Sequence, residues 1–521
     1  MTSRKSNYIL AKYDVSGIQD YIFATNRLRE NAGASYQVTR ILEEFLIEAF
    51  REAAEQENAA IILDWKHEEK LRLPEDETIK AEIIYIGGGN AVALFRGMDL
   101  FQRIGEILAV KAAVNCQGLN LAVAYIETEL QNFSEDRSRL DRAMEEGKRR
   151  TGRQPLYAPF PVVDRDNESY LPITSRICYG KNGENVTGIQ LQKRNAYKNI
   201  RSCRSLFPSI GNEADYGYPE EMEQLCRDHG EDSRIAVVHI DGNGMGDRMN
   251  RRLQGHGGYA EGVSATRRES REIAELFQDT YAEILKDLWD AKMFVNREGQ
   301  DSEKDEEKIF PLRPVILDGD DFTFLCRAEL AVPAAAGFIR KLMQKQEGEE
   351  QKITACGGIA FVHSHFPFRV AYSIAEESCS RAKERWYLKK GEMGGGPALG
   401  YLDFQVIMES EAELSDKNIK WHKRPYAIGT EDEETGGNSL KMLFDTLIKM
   451  ENWPSGRLHK IYRAIQEGSD AVELLKREFS SRGYEIDDLI GGQWQDSALF
   501  DALELQGMCR TDLLEKFLDI Q

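Results

Sequence analysis

The stretch Val315-Ile-Leu-Asp-Gly-Asp-Asp-Phe-Thr-Phe-Leu325 reads as a β-hairpin, with two apolar runs joined by a tight acidic turn. Asp318, Asp320 and Asp321 crowd one glycine, Gly319, at its tip. Like charges this close repel unless something positive sits among them. Mg2+ or Mn2+ fits, because hard cations take oxygen ligands and commonly bind together with substrate phosphates. A second acidic strand end lies upstream, Arg234-Ile-Ala-Val-Val-His-Ile-Asp241, followed by Gly242-Asn243-Gly244-Met-Gly246. Alone, Asp-Gly-Asp-Asp is also an ordinary surface turn, but a buried-looking strand that ends in Asp241 argues against that reading. An acidic strand end beside an acidic hairpin is how palm-type polymerases and cyclases hold metal and nucleotide.

Composition narrows the classes. A chain of 521 residues accommodates two to four domains, and 41% apolar residues with 14 prolines describe an ordered globular protein. No apolar run approaches the ~18 residues of a membrane span. The opening Met-Thr-Ser-Arg-Lys-Ser-Asn runs into Tyr8-Ile-Leu-Ala-Lys-Tyr-Asp14, too short and polar for a signal peptide, so a cytoplasmic protein without membrane contact is expected. Eight cysteines without a Cys-x-x-Cys pair speak against a disulfide scaffold and a zinc ribbon, and Cys326 and Cys356 read as small core residues. The formal charge of −20 disfavours an extensive nonspecific nucleic-acid surface. It leaves room for a focused nucleotide site, where Mg2+ brings its own charge. The acidic stretches 127–146, 301–307 and 431–434 read as solvated faces or linkers.

Two modules share one rhythm. In the first, a strand over 8–14 ends in Asp14, followed by a helix over 35–55, a short strand over 59–63, a hairpin over 81–95 with Gly87-Gly-Gly-Asn90 at its tip, a helix over 99–114 and a strand over 121–126. The second repeats it: the strand ending in Asp241, a helix over 265–292, the acidic hairpin, a helix over 332–344, a strand over 353–362 and a helix over 369–388, then a strand-like segment over 398–407. This order predicts an α+β fold of two ferredoxin-like palm domains with helical insertions and a C-terminal helical region. The expected boundaries are a first palm over 1–130, an inter-palm region over 131–230, a second palm over 231–410 and a helical domain over 411–521. Between the palms lie Tyr157-Ala-Pro-Phe-Pro161 and a basic cluster, Lys193, Arg194, Lys198, Arg201 and Arg204. That cluster reads either as a phosphate contact or as a partner-protein contact or solvated face.

The motifs together resemble the Cas10 large subunits, Csm1 and Cmr2 types, of type III CRISPR systems. Tyr13-Asp-Val-Ser-Gly-Ile-Gln-Asp-Tyr-Ile-Phe23 is similar to their opening signature, and Gly33-Ala-Ser35 falls where they carry Gly-Ala-Ser or Gly-Arg-Ser. Ile240-Asp-Gly-Asn-Gly-Met-Gly246 resembles their Asp-x-Asp-x-Met-Gly, and Leu317-Asp-Gly-Asp-Asp-Phe322 their Gly-Gly-Asp-Asp hairpin. Gly357-Gly-Ile-Ala-Phe-Val-His363, Pro367, Ala375-Glu376 and Ala382-Lys383 follow in order. Asn243 stands in place of the family's second Asp, and Asp318 in place of its first hairpin glycine. With the first strand at Tyr8 and no His-Asp pair, a reduced member without HD nuclease domain or zinc ribbon is expected.

The resemblance implies a Mg2+- or Mn2+-dependent nucleotidyltransferase that joins ATP into cyclic oligoadenylates for antiviral defence. Asp241, Asp320 and Asp321 would be catalytic, and with the Gly242 carbonyl would ligate metal. Nucleotide contacts would come from Asp14, Ser16, Gly17, Ser35, Gly88, Gly89, Gly242, Asn243, Gly244, Gly319 and Lys383. Each has a plainer reading. Asp14, Ser16 and Ser35 also suit turn or helix caps, Gly87–Gly89 a simple turn, and Lys383 a polar helix face. Rival functions are a cyclase making a cyclic mono- or dinucleotide, and a non-catalytic nucleotide- or RNA-binding scaffold, which Asn243 favours. Expected partners are nucleoside triphosphates, with CRISPR effector subunits, guide or target RNA, or further copies in a homo-oligomer as candidates.

Overall fold

In the computed structural model the first strand, β1 (Tyr8–Ser16), buries Ile9, Leu10, Ala11, Tyr13 and Val15. It leads through α1 (Ile18–Ile22) into α2 (Leu28–Arg40), a π-helical turn (Ile41–Leu46) and α3 (Ile47–Glu57). The structure describes residues 8–68, 70–150, 162–167, 169–179, 182–200, 216–226, 233–254, 258–291, 293, 295–296, 308–346, 352–393, 398–407, 421–429, 438–490 and 493–518. Residues 157–161, Arg201, Arg204, 301–307 and 431–434, singled out in the sequence, lie outside the described residues. Two compact units divide the chain, one of Met1–Glu220, Gly244–Gln278 and Val315–Asp321, the other of Glu221–Asn243, Asp279–Pro314 and Phe322–Gln521.

In the first unit β2 (Ala60–Ile62), the hairpin β3 (Ile79–Gly87) and β4 (Asn90–Phe95), α4 (Met98–Asn115), β5 (Asn120–Thr128) and α5 (Phe133–Arg150) follow. The sheet order is β2-β3-β4-β1-β5, with β1 antiparallel to both β4 and β5. Without the added β2 this is the ferredoxin-like arrangement. The β3–β4 turn has positive φ at both central residues, Gly88 (60°) and Gly89 (69°), a conformation open to glycine at no steric cost. The helix begins at Leu28, well before the expected residue 35, because Ala32, Ala34 and Val38 continue the buried face of Ile41, Leu42 and Phe45.

Past α5, the hairpin β6 (Ile173–Tyr179) and β7 (Asn182–Thr187) and helix α6 (Gly188–Tyr197) occupy a region where few regular elements were expected. Thr187 and Gln190 form a capping box at the start of α6. That helix packs against α2 so closely that a Cβ on Gly33 would lie 2.0 Å from the Lys193 carbonyl oxygen. Two members of the expected basic cluster are thereby buried. Lys193 Nζ donates to the Tyr21 carbonyl at 2.5 Å and stands 4.2 Å from the Tyr21 ring centroid. Arg194 pairs with Glu30 and Glu184. These side chains serve helix packing, not a phosphate-binding surface. A two-residue strand, β8 (Tyr216–Gly217), completes this part.

The second palm begins with β9 (Arg234–Gly242), then α7 (Met245–Gln254), α8 (Tyr259–Asp290) and the paired short strands β10 (Val295–Asn296) and β11 (Lys308–Ile309). The acidic hairpin is β12 (Leu312–Asp318) and β13 (Asp321–Arg327), followed by α9 (Ala328–Gln344), β14 (Ala355–His363), α10 (Phe368–Met393) and β15 (Leu399–Val406). A last strand, β16 (Tyr426–Gly429), extends the sheet to β12-β13-β9-β14-β15-β16 from within the region expected to be all helical. Its four residues, Tyr-Ala-Ile-Gly, are too few to show a strand period. The helices α11 (Leu440–Glu451), α12 (Ser455–Glu467), α13 (Ser469–Ser480), α14 (Leu499–Glu504) and α15 (Thr511–Leu518) follow. Asp501 of α14 is fully buried and accepts from His422, from the Lys423 and Arg424 backbone amides and from the Tyr426 hydroxyl, which ties α14 to the β16 segment. Cys326 and Cys356 are buried in strands, as small core residues.

One buried ion pair holds the first unit's sheet to its helical cover. Arg267 of α8 pairs with Glu82 of β3 at 3.0 Å and donates to the Ile83, Ile84, Glu68 and Lys70 carbonyls, while Glu82 also accepts from the Arg72 and Leu73 amides. Glu82→Ala strands a guanidinium that is 1% exposed and is expected to cost about 3–5 kcal/mol in denaturant unfolding. A loss under 1 kcal/mol would show that the carbonyls alone satisfy Arg267.

Candidate functional site

Strand β9 delivers Asp241 at the end of a run in which Ile235 to Ile240 are all buried. Its partner β14 aligns Cys356 opposite Asp241 and Gly358 opposite His239. A Cβ on Gly358 would lie 2.0 Å from the Ala375 carbonyl oxygen and 2.3 Å from the Cys379 amide, so glycine lets α10 lie directly on the strand. Held this close, α10 brings Lys383 to the strand end. Lys383 Nζ donates to Asp241 Oδ2 at 2.5 Å and to the Gly242 carbonyl at 3.0 Å. A cationic group thus already sits between the carboxylate and carbonyl oxygens that the sequence assigned to a metal. That donor set, hard oxygens on one strand end, fits Mg2+ or Mn2+.

Asn243 is turned away from this cation. Its backbone amide donates to the Thr354 carbonyl at 2.8 Å, its side-chain Nδ2 donates to Thr354 Oγ1 at 3.0 Å, and the residue is buried. An amide suits that position because it supplies a donor that a carboxylate lacks. The substitution relative to the Cas10 pattern therefore has a structural reason. Gly244 follows with φ of 65° and opens the turn into α7.

The other candidate residues gather in the first unit. A cavity of about 610 Å³ is lined by Ser16, Gly17, Ser35, Gly88, Lys148, Asp318, Asp320 and Asp321, together with Val15 to Asp20, Ile22, Val38, Thr39, Ile316 and Leu317. Its size falls within the roughly 300–1,000 Å³ of small-molecule sites. The acidic turn places Gly319 at φ 60° with Asp320 beside it, so only the first loop position demands glycine. Asp318 Oδ1 accepts from the Gly88 amide at 3.0 Å. Burial pushes Asp318 up to about 6, with Asp321 and Glu43 adding to the rise, while the Gly88 and Gly89 amides oppose it. The crowding of carboxylates is relieved in part by backbone N–H groups.

Gly17, at φ 72°, is the N-cap of α1. Asp14 pairs with Lys148 of α5 at 2.6 Å and accepts from Ser16 Oγ at 3.3 Å. Ser35 lies in the middle of α2, which removes a capping role and leaves it on the cavity wall. Gly89 accepts from the Val15 amide through its carbonyl at 3.0 Å, fixing the first hairpin tip to the end of β1. Lys148 was missed in the sequence because it sits in a mixed-charge helix far from Asp14. The signal that finds it is the repeat itself, since Lys383 holds the corresponding place in the second module.

One family profile agrees with the assignment of the second palm. Residues 234–390 match the family profile of the Cas10/Cmr2 second palm domain. Solved structures similar to the chain include a Csm1-Csm4 cassette in complex with cA4, at 14% identity and a TM-score of 0.46, covering 96% of this chain and 70% of that one. The cassette in complex with pppApA gives 14% and 0.48, covering 97% and 70%. The apo cassette gives 14% and 0.46, covering 96% and 70%. No curated protein sequence matches the chain. No described helix is long and apolar enough to cross a membrane.

The geometry of Asn243 yields a direct test. Asn243→Asp replaces a buried donor to Thr354 with a carboxylate and is expected to cost about 1–3 kcal/mol in denaturant unfolding. Unchanged stability would mean that the Thr354 hydroxyl reorients at no cost to satisfy an acid there.

Proposed function

We propose, from the match of residues 234–390 to the Cas10/Cmr2 second palm domain, that the chain is a Cas10-type nucleotidyltransferase that converts ATP into cyclic oligoadenylate-type messengers in antiviral defence. The observation that carries the reading is the cation held by the Asp241 carboxylate and the Gly242 carbonyl at the end of β9. In this reading Asp241, Asp320 and Asp321 are the catalytic acids, and Asp241, the Gly242 carbonyl, Asp320 and Asp321 would hold Mg2+ or Mn2+. Such an ion supplies Lewis-acid chemistry, easing deprotonation of a ribose 3′-hydroxyl and neutralising charge on phosphate. The chain's own part is placement and electrostatics. Lys383 keeps a positive charge on Asp241 in the free protein and turns to a substrate phosphate when one arrives. Ser16 and Ser35 offer hydroxyls on the cavity wall. Gly17, Gly88, Gly89, Gly244 and Gly319, all at positive φ, let a nucleotide approach the backbone.

The domains follow the same reading, with a first palm over 1–130, a second over 231–410, an inter-palm region over 131–230 that carries the β6–β7 hairpin, and a mostly helical region over 411–521 that contributes β16. CRISPR effector subunits and guide or target RNA are the partners that fit a Cas10 role.

The test is an incubation of purified protein with each nucleoside triphosphate, and with all four, plus Mg2+ or Mn2+, read by mass spectrometry with and without partner subunits. The expected product is a cyclic or linear oligoadenylate of the kind named for the Csm1-Csm4 complexes, cA4 and pppApA. Asp241→Ala and Asp320→Ala should each lower its formation on the order of 100-fold or more while the circular dichroism spectrum is kept. Full turnover in both variants would refute the assigned acids, and a cyclic mono- or dinucleotide product would replace the oligoadenylate reading.

A further inference from the structure

The two modules carry the same ion pair at the same place. Asp14 near the end of β1 pairs with Lys148 of α5 at 2.6 Å, and Asp241 near the end of β9 pairs with Lys383 of α10 at 2.5 Å. Helix α5 follows the last strand of the first ferredoxin-like unit, β5, as α10 follows β14 in the second. Each helix opens on a buried phenylalanine, Phe133 or Phe368, and each lysine stands fifteen residues after it. The hairpins correspond as well. Asp14 aligns with Asn90, the first residue of β4, and the loop Gly88-Gly89 answers Gly319-Asp320. The first module thus has glycine and asparagine where the second has hairpin acids, and it has the same aspartate–lysine pair.

Lys148 also lines the 610 Å³ cavity, and it is the one cation among the described residues that do. The other charged groups on that wall are Asp20, Asp318, Asp320 and Asp321. The Lys148 side chain is 39% exposed, so its three N–H donors can reach a ligand oxygen while the ammonium stays beside Asp14. Asp14, 15% exposed and steadied by the Ser16 hydroxyl, keeps the ammonium aimed from the strand end.

Resting on the nucleotide reading given above, we propose that Lys148 is a phosphate-binding residue of the first-palm cavity. It takes a phosphate of a nucleoside triphosphate, with Asp14 as the positioning residue that aims it. The glycine loop Gly88-Gly89 lacks side chains that would hold a metal, so the lysine provides the fixed positive charge on that side of the cavity. The substrate class is a nucleotide recognised through its phosphate.

Isothermal titration of the full-length protein with a nonhydrolysable ATP analogue and with adenosine, both in Mg2+, tests this. Lys148→Gln should weaken analogue binding about tenfold, as loss of one charge-assisted contact does, and leave adenosine binding as it was. Lys148→Arg should restore most of the difference, and Asp14→Asn should fall between. Melting temperatures of the variants within a few degrees of the parent identify the effect as one on the ligand. If Lys148→Gln binds the analogue like the parent while Asp320→Ala does not, the nucleotide reading stands and the lysine proposal falls. Equal losses for analogue and adenosine, with a lowered melting temperature, would make the pair a structural tie and overturn the proposal. A parent protein that binds neither would overturn the nucleotide reading and the proposal together.

Discussion

The Lys383 ammonium between the Asp241 carboxylate and the Gly242 carbonyl depends on three independent features of the second palm. The β9–β14 register sets Asp241 opposite Cys356. The missing Cβ at Gly358 lets α10 rest on the strand at a separation no other residue would permit. Asn243, one residue past Gly242, is locked to Thr354 by backbone and side chain, which fixes how the chain leaves the strand. Move any of these and the oxygens no longer converge on one cation. The proposed nucleotidyl transfer would need this charge arrangement in place before substrate arrives, because reorganisation during the reaction is what preorganised sites avoid.

A comparison of the two hairpins shows how one scaffold carries two chemistries. Both loops connect strands through two residues, and both need positive φ at the first. The first loop extends positive φ to the second residue, a conformation that glycine adopts at no steric cost. The second loop does not, and Asp320 occupies the position. Backbone conformation, as much as side-chain identity, separates a glycine tip from an acidic one. A change of Gly89 to Asp would set a side chain against Ile18 at 3.0 Å in a strained conformation, so restoring the acid is not a single-step substitution.

Much of this was legible in the sequence, for physical reasons that differ between elements. The palm strands showed themselves because runs such as 235–240 and 315–325 are apolar and stop at glycine turns. The acids stood out as candidates because Asp241 closes a buried strand and Asp318, Asp320 and Asp321 share one turn. The start of α2 was not, since Asn31 and Gly33 look like breakers until the close packing of α6 on Gly33 is known. The β6–β7 hairpin, with Arg176, Asn182, Gly183 and Glu184 in its strands, shows no clear apolar alternation. Lys193 and Arg194 read as a surface patch because burial of a charge depends on partners, Glu30 and the Tyr21 carbonyl, that are distant in sequence. The Asp14–Lys148 pair escaped for the same reason.

The balance of charge at the acidic tip follows from these same contacts. A chain of net charge −20 that gathers Asp318, Asp320 and Asp321 on one turn faces self-repulsion that grows as water is excluded. Asp318 meets it in two ways, by accepting from the Gly88 amide and by carrying a carboxyl raised to about 6, closer to neutral pH than an ordinary aspartate. Lys148 and Lys383 each hold the strand-end aspartate of their own module. In the proposed reading each pair keeps a positive charge where a phosphate would bind, and the partial exposure of each lysine gives that phosphate access to the ammonium.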